Sequence, residues 1–280
     1  MTHISILIPR GHTSLVNIEG SYQIFSELNT FLADRGRAPE FTVQLVGISH
    51  EISQRNGLFS ISPEALISEV KKTDLIVIPS VHGEHRQAVV QNAELLMWIR
   101  QQYAQGACVA GLCIGALFLA ATGLLDGKQC TTHWKFAGEF RRLYPEARLM
   151  PDKVITEEDR IFTSGGAYSY LNLIVYLVEK FAGRDIAVLA AKSYGVDIDR
   201  ISQSPFMIFQ GQKNHQDEMV IRVQEFIEAN YQEKITVDQL ADMAAVGRRS
   251  FERRFKSATG NSVIEYIQRI KVEAAKRDFE

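Results

Sequence analysis

The sequence predicts an α/β domain built on a mainly parallel sheet with helices on both faces, followed by a small all-α helix-turn-helix segment. Three observations carry that prediction. Short apolar runs alternate with stretches of helical periodicity through the first 200 residues or so. Strand-like runs then vanish, and from about Gln216 only helical patterns remain. The length, 280 residues, exceeds that of one typical domain.

Each element has a local reason. "HISILIP" is a β-branched run that stops at a proline and reads as a buried strand. "GSYQIFSELNTFLADRG" places apolar residues at helical spacing and stops at Gly36. "FTVQLVGIS" and "TDLIVIPS" are further strands, and "NAELLMWIRQQYAQG" is a helix with a glycine stop. "ACVAGLC" is a strand that runs straight into the helix-like "IGALFLAATGLLDG". "DRIFTSGG" and "AYSYLNLIVYLVEKFAG" repeat strand, glycine turn and helix, and "DIAVLAAKSYGVD" adds one more helix. Short apolar strands alternating with helices imply a mainly parallel sheet with both faces covered. Ligands of such sheets bind beyond the carboxyl ends of the strands.

The α/β domain is assigned to residues 1–200. "ISQSPFMIFQGQKNHQD" has no clean period and carries Pro, Gly and polar residues, so 201–215 reads as a linker. The helical segment occupies 216–280. Apolar residues make up 46% of the chain and charged residues 23%, enough to bury a sizeable core. A net charge of −2 gives no global pull toward polyanions, so any nucleic-acid surface must be local. The three cysteines, Cys108, Cys113 and Cys130, include no C-x-x-C pair for zinc, and free thiols suit a reducing compartment. No metal and no cofactor is expected. No signal peptide and no membrane span is recognised, so a cytoplasmic protein is expected.

In the helical segment, "DEMVIRVQEFIEANYQ" gathers Val220, Val223, Phe226 and Ile227 on one side. "TVDQLADMAA" opens on a capping box, with Thr236 as N-cap and Gln239 three residues on. "VG" makes a short turn into "RRSFERRFKSATG", which Gly260 stops, and "SVIEYIQRIKVEAAKRDFE" is a last helix. Helix, short turn, helix is the order of a helix-turn-helix. At 100° per residue, Phe251, Phe255 and Ala258 share one side of the second helix. Arg249, Glu252, Arg253 and Lys256 share the other, with Arg248 beside them. A cationic stripe of this kind suits phosphate oxygens and guanine edges, and it equally suits a solvated face.

The other feature with chemical potential is G-x-C-x-G at Gly111–Cys113–Gly115, where a strand ends and a helix begins. Glycines there permit a tight turn that exposes a nucleophile. A thiol at a helix N-terminus is expected to have a lowered pKa. His133 of "CTTHW" is a candidate base, and Asn17 and Glu19 follow the first strand toward the same sheet edge. A small thiol packed at a strand–helix junction remains the alternative.

Two resemblances extend these readings. "ITVDQLADMAAVGRRSFERRFKSATGNSVIEYIQRIKVEAAK" resembles the first half of an AraC/XylS-type DNA-binding domain. The resemblance implies that Arg248, Arg249, Ser250, Arg253 and Lys256 belong to a recognition helix contacting double-stranded DNA. That family's domain has two helix-turn-helix units; the second is not in this sequence, and weak DNA binding is expected. "GLCIGALFLAATGLLDGKQCTTHW", with the "TSGG" turn, resembles the nucleophile elbow of the ThiJ/PfpI, or class-I glutamine-amidotransferase-like, superfamily over about residues 4–195. That resemblance implies a flavodoxin-like fold, with Cys113 as the elbow residue and His133 as its histidine.

Departures from the pattern bear on activity. The usual acid falls on Asn17, Glu19 is displaced by two, Ser21 replaces a proline, and "SVHG" replaces a glycine pair. The resemblance therefore implies a sensor that has lost its chemistry. Asn17, Glu19, Cys113 and His133 are expected to line an effector pocket, with Cys113 and His133 as vestigial catalytic residues. A transcription regulator with an unknown small-molecule effector, acting as a homodimer, is the leading expectation. A cysteine hydrolase or lyase, or a thiol redox sensor, is the alternative.

Overall fold

In the computed structural model, residues 1–207, 213, 215 and 217–279 are described. The chain divides into Met1–Pro205 and Phe206–Glu280. The first unit is built on seven strands: β1 (Thr2–Ile8), β2 (Phe41–Gly47), β3 (Ala65–Leu66), β4 (Leu75–Ile78), β5 (Cys108–Gly111), β6 (Ile155–Glu158) and β7 (Ile161–Ser164). They lie in the order β6-β7-β5-β4-β1-β2-β3. All pairs are parallel except β6 with β7, an antiparallel edge hairpin that aligns Ile155 with Ser164.

Alternation along the strands explains why both faces are covered. Ile4, Ile6 and Ile8 of β1, with Leu75 and Val77 of β4, enter one core. The helices α1 (Leu15–Ala33), α6 (Tyr170–Ala182) and α7 (Arg184–Tyr194) close over it with Ile24, Phe25, Leu28, Leu173 and Leu177. Leu7, Ile76 and Ile78 point the opposite way. They meet α3 (Ala93–Ala104), α4 (Gly115–Ala120) and α5 (Ala137–Leu143) through Leu95, Ile99, Phe118 and Phe140. A short α2 (His85–Gln91) is capped by Glu84, whose carboxylate accepts from Arg86 N and Gln87 N.

The first helix begins five residues before the glycine that opens its apolar pattern in the sequence. Asn17 and Ile18 extend the buried stripe upstream, and Gly20 sits inside the helix where a Cβ would strike the Tyr170 hydroxyl. Asn17 and Glu19 therefore stand on α1 rather than in a loop. Three short strand pairs escape the sequence pattern: His12–Thr13 with Val81–His82, Ile52–Gln54 with Phe59–Ile61, and Gln129–Cys130 with Arg148–Leu149.

Part of the 201–215 stretch groups with the α/β unit. Gln203 is 1% exposed and bonds to its interior. Residues 208–212 and 214 of that stretch, with Gln216 and Glu280, lie outside the described residues.

The second unit holds α8 (Glu218–Ala229), α9 (Val237–Met243), α10 (Arg248–Thr259) and α11 (Val263–Phe279). Met219, Val220, Val223 and Ile227 of α8 meet Leu240, Phe251, Phe255 and Tyr266 in one core. The Phe255 and Tyr266 rings pack edge-on at 5.4 Å. Among the described residues, no helix is long and apolar enough to cross a membrane.

Candidate functional site

Cys113 occupies the turn between β5 and α4 in the left-handed region, at φ +54°. A non-glycine residue there is strained and persists only when its surroundings over-determine it. They do. A Cβ on Gly115 would sit 2.6 Å from Ile78 O and 2.7 Å from Pro79 O, so only glycine lets α4 start this close to β4. The Cys113 N–H donates to Ser164 Oγ at 3.1 Å, and its carbonyl accepts from Thr132 Oγ1 at 3.1 Å. Ser80 Oγ donates to the neighbouring Leu112 O at 3.1 Å. The turn is an elbow held on three sides by hydroxyls.

The thiol itself is 5% exposed. Burial pushes its pKa up, and bonds from Ser80 and from the Ile114 backbone only partly oppose the shift. The lowering expected from the helix N-terminus is thus overturned. A six-residue helix has a weak dipole, whereas desolvation of a thiolate is large.

His133 caps a short 3₁₀ turn, Trp134–Phe136, with Nδ1 accepting from Lys135 N at 3.1 Å. Partial burial and Lys135 hold its pKa below the ordinary value. The ring packs against Trp134 and Phe136. Among the described residues no hydrogen bond joins it to Cys113. Asn17, 2% exposed, spends its side-chain oxygen on Ser80 N at 3.0 Å and so ties α1 to the loop after β4. Glu19 is exposed on α1, and its charge acts on the Tyr170 and Tyr194 hydroxyls. The structure thus gathers Asn17, through Ser80, around the elbow. Among the described residues, neither Glu19 nor His133 is hydrogen-bonded to the thiol.

Four residues that pattern reading passed over complete the elbow: Ser80, Thr132, Ser164 and Gln203. Gln203 Nε2 donates to Thr132 O at 3.0 Å and Lys153 O at 2.8 Å, and its Oε1 accepts from Trp134 N at 3.3 Å. Gly165 leaves the space this side chain fills. The only sequence signal for it is the "TSGG" glycine. Among the described residues, no group of three His, Cys, Asp or Glu side chains is placed to hold a metal ion.

In the second unit, Thr236 Oγ1 accepts from Gln239 N at 3.2 Å and caps α9. The turn into α10 is made by Ala245 at φ +52°, with Gly247 serving as N-cap in extended conformation. Gly260, at φ +70°, ends α10. Phe251 and Phe255 are fully buried, whereas Arg248, Arg249, Ser250, Arg253 and Lys256 are all exposed. Arg248 is engaged by Asp238 at 3.0 Å and Glu252 at 3.5 Å. Arg249, Arg253 and Lys256 have no ion-pair partner among the described residues. Arg254, also exposed, is bound by Asp217, the N-cap of α8.

The model of the DJ-1/PfpI family matches residues 23–180, more than half of the sequence. The chain belongs to the DJ-1/PfpI family. Residues 227–268 match the model of the AraC family of bacterial regulatory helix-turn-helix proteins, which covers α9 and α10 entirely. This DJ-1/PfpI chain is 23% identical over 231 residues to the HTH-type transcriptional regulator GbdR of Pseudomonas aeruginosa, 78% of the chain and 58% of GbdR. It therefore spans under two thirds of that relative's length. It is 30% identical over 140 residues to isonitrile hydratase of Pseudomonas putida, 49% of the chain and 58% of the enzyme. The DJ-1/PfpI family thus contains an enzyme alongside regulators. A crystal structure of an AraC family transcriptional regulator from Pseudomonas putida superposes with a TM-score of 0.58 at 18% identity, over 69% of this chain and 100% of that one. At that identity the likeness bears on the DJ-1/PfpI fold alone.

Proposed function

We propose that this chain is a DNA-binding transcription regulator whose α/β unit senses a small metabolite or pairs two copies, and does not turn a substrate over. The observation that carries this reading is α10. One face of the helix is buried through Phe251 and Phe255, while Arg249, Arg253 and Lys256 stay exposed on the other, without an ion-pair partner among the described residues. A capped helix, a short turn and a cationic second helix fit the major groove and its phosphates. The match to AraC-family helix-turn-helix proteins and the likeness to GbdR support it. A regulator of this type works beside the chromosome, in the cytoplasm.

The absence of turnover is supported by the elbow. Its thiol is buried and held protonated, its nearest expected acid is the amide Asn17, and His133 makes no bond to it. A nucleophile needs a base within hydrogen-bond reach. The same elbow offers a path for a signal. Thr132 joins the Cys113 carbonyl to the loop that Gln203 grips, and Gln203 lies two residues before the end of the α/β unit.

Fluorescence anisotropy with genomic double-stranded fragments tests the reading. Three free cations predict a slope of roughly −3 for log K against log salt, since each neutralised phosphate contributes about −0.9. Arg253→Ala is expected to flatten that slope by about one, and Cys113→Ala to leave binding unchanged. Failure to bind any fragment, with or without metabolites, overturns the proposal. Turnover of an isonitrile or amide that Cys113→Ala abolishes would establish the hydrolase or lyase reading instead.

A further inference from the structure

The α/β unit carries a concave feature lined by none of the residues that hold the thiol elbow. Strands β1 and β4 are neighbours, but the chain leaves β1 toward β2 and β3 and leaves β4 toward β5 and β7 on the other side. Loops that diverge this way open a crevice at the carboxyl ends of the strands, where sheets of this kind take ligands. Here the loop after β1 carries His12 and the loop after β4 carries His82. The two are opposed in a two-residue antiparallel ladder, with ring centroids 5.4 Å apart.

A third loop is pinned against this pair. Gln54 is fully buried; its Oε1 accepts from Thr13 N at 2.8 Å and its Nε2 donates to Pro9 O at 3.2 Å. The next residues, Arg55, Asn56 and Gly57, all lie at positive φ, +49°, +57° and +90°. Two consecutive non-glycine residues in that region are a costly arrangement that the Gln54 anchor sustains. Gly11, His12, Ser53, Arg55 and Asn56 line a cavity of about 470 Å3, within the size range of small-molecule sites.

No acidic side chain is among those lining residues, and neither Arg55 nor His12 has an ion-pair partner among the described residues. Burial first, then the electrostatic influence of His12 and Arg55, holds His82 below its ordinary pKa. We propose that this crevice binds a small oxyanion, the carboxylate or phosphate group of a compact metabolite. The Arg55 guanidinium supplies a planar fork for two oxygens, and the His12 imidazole N–H and the Asn56 amide supply further donors, with the His82 ring packed against His12. That the oxyanion belongs to the effector rests on the regulator reading above; that an oxyanion binds here does not.

The test is an NMR titration of the His12 and His82 ring resonances in the full chain, without DNA, using inorganic phosphate in one arm and acetate in the other. Saturable shifts of both rings are expected. Arg55→Gln and His12→Gln should each weaken binding about tenfold or more while leaving thermal melting unchanged. The arm with the lower Kd identifies phosphate or carboxylate as the group recognised. Absence of a saturable shift in both arms, or an affinity unchanged by Arg55→Gln, overturns the proposal. Should Arg55→Gln not fold, Arg55→Lys keeps the charge and loses the fork, and must bind more weakly; equal affinity overturns the proposal. Because DNA is absent, failure here leaves the regulator reading standing on α10.

Discussion

At the scale of single residues, Cys113 shows burial overriding position. Its place before a helix favours the thiolate, but a 5% exposed thiol pays more in desolvation than a six-residue helix returns. Iodoacetamide is therefore expected to modify Cys113 far more slowly than a denatured control at pH 7, accelerating only well above the ordinary thiol value of 9.0. Intact-mass spectrometry reads this directly, and fast labelling at pH 7 would contradict it. Ser21 makes the complementary point. Its hydroxyl is fully buried on α1 and has no hydrogen-bond partner among the described residues. Ser21→Ala removes that unsatisfied group at little cost in packing and should raise the stability of the α/β unit by roughly 1 kcal/mol. A lowered thermal midpoint would show that the hydroxyl is bonded after all.

At the scale of elements, legibility in the sequence follows burial. The central strands β1, β4 and β5 are covered on both faces, so they appear as predominantly apolar runs, and helices α6 and α10 as amphipathic ones. The short strand pairs around His12 and Ile52 are held by single side chains such as Gln54, and two or three residues carry no period. Gln203 lies in a polar stretch and enters the core with the two N–H groups of its amide facing four oxygen acceptors, Thr131 Oγ1 and the carbonyls of Thr132, Pro151 and Lys153, which composition cannot reveal. The cationic face of α10 is legible, but the engagement of Arg248, which sets it apart from Arg249, Arg253 and Lys256, depends on Asp238 from another helix. The turn before α10 was read on its glycine, yet Ala245 takes the left-handed conformation. Ala245→Gly should stabilise the α9–α10 pair by roughly 0.5–1 kcal/mol, since an L-residue is strained there. Slower hydrogen exchange across α9 and α10 is the expected readout, and faster exchange would refute the strain.

At the scale of the molecule, the two units meet acid with different groups and should fail in order. His82, His85 and His133 all belong to the α/β unit, and for each the largest influence is burial, which lowers the pKa from the ordinary 6.5. A depressed histidine favours the neutral form in the folded state. The unfolded chain therefore takes up protons first as pH falls, and stability present above pH 6.5 is lost as pH drops toward the folded values. The helical unit carries a different switch. Asp217 is held below its ordinary 3.8, foremost by the bond from Arg254, and it also caps α8 through Val220 N. A depressed carboxylate contributes above the unfolded pKa and fails only as pH falls below it, so this clamp survives until the solution is well under pH 4. Hydrogen exchange at stepped pH should thus show α/β protection declining as the pH falls below 6.5 while α8 to α10 stay protected. His85→Gln, which removes one of the three protonation sites, should shift the first decline to lower pH. If the helical unit loses protection first, or both decline together near pH 6, the histidines are not what sets the acid limit of the α/β unit.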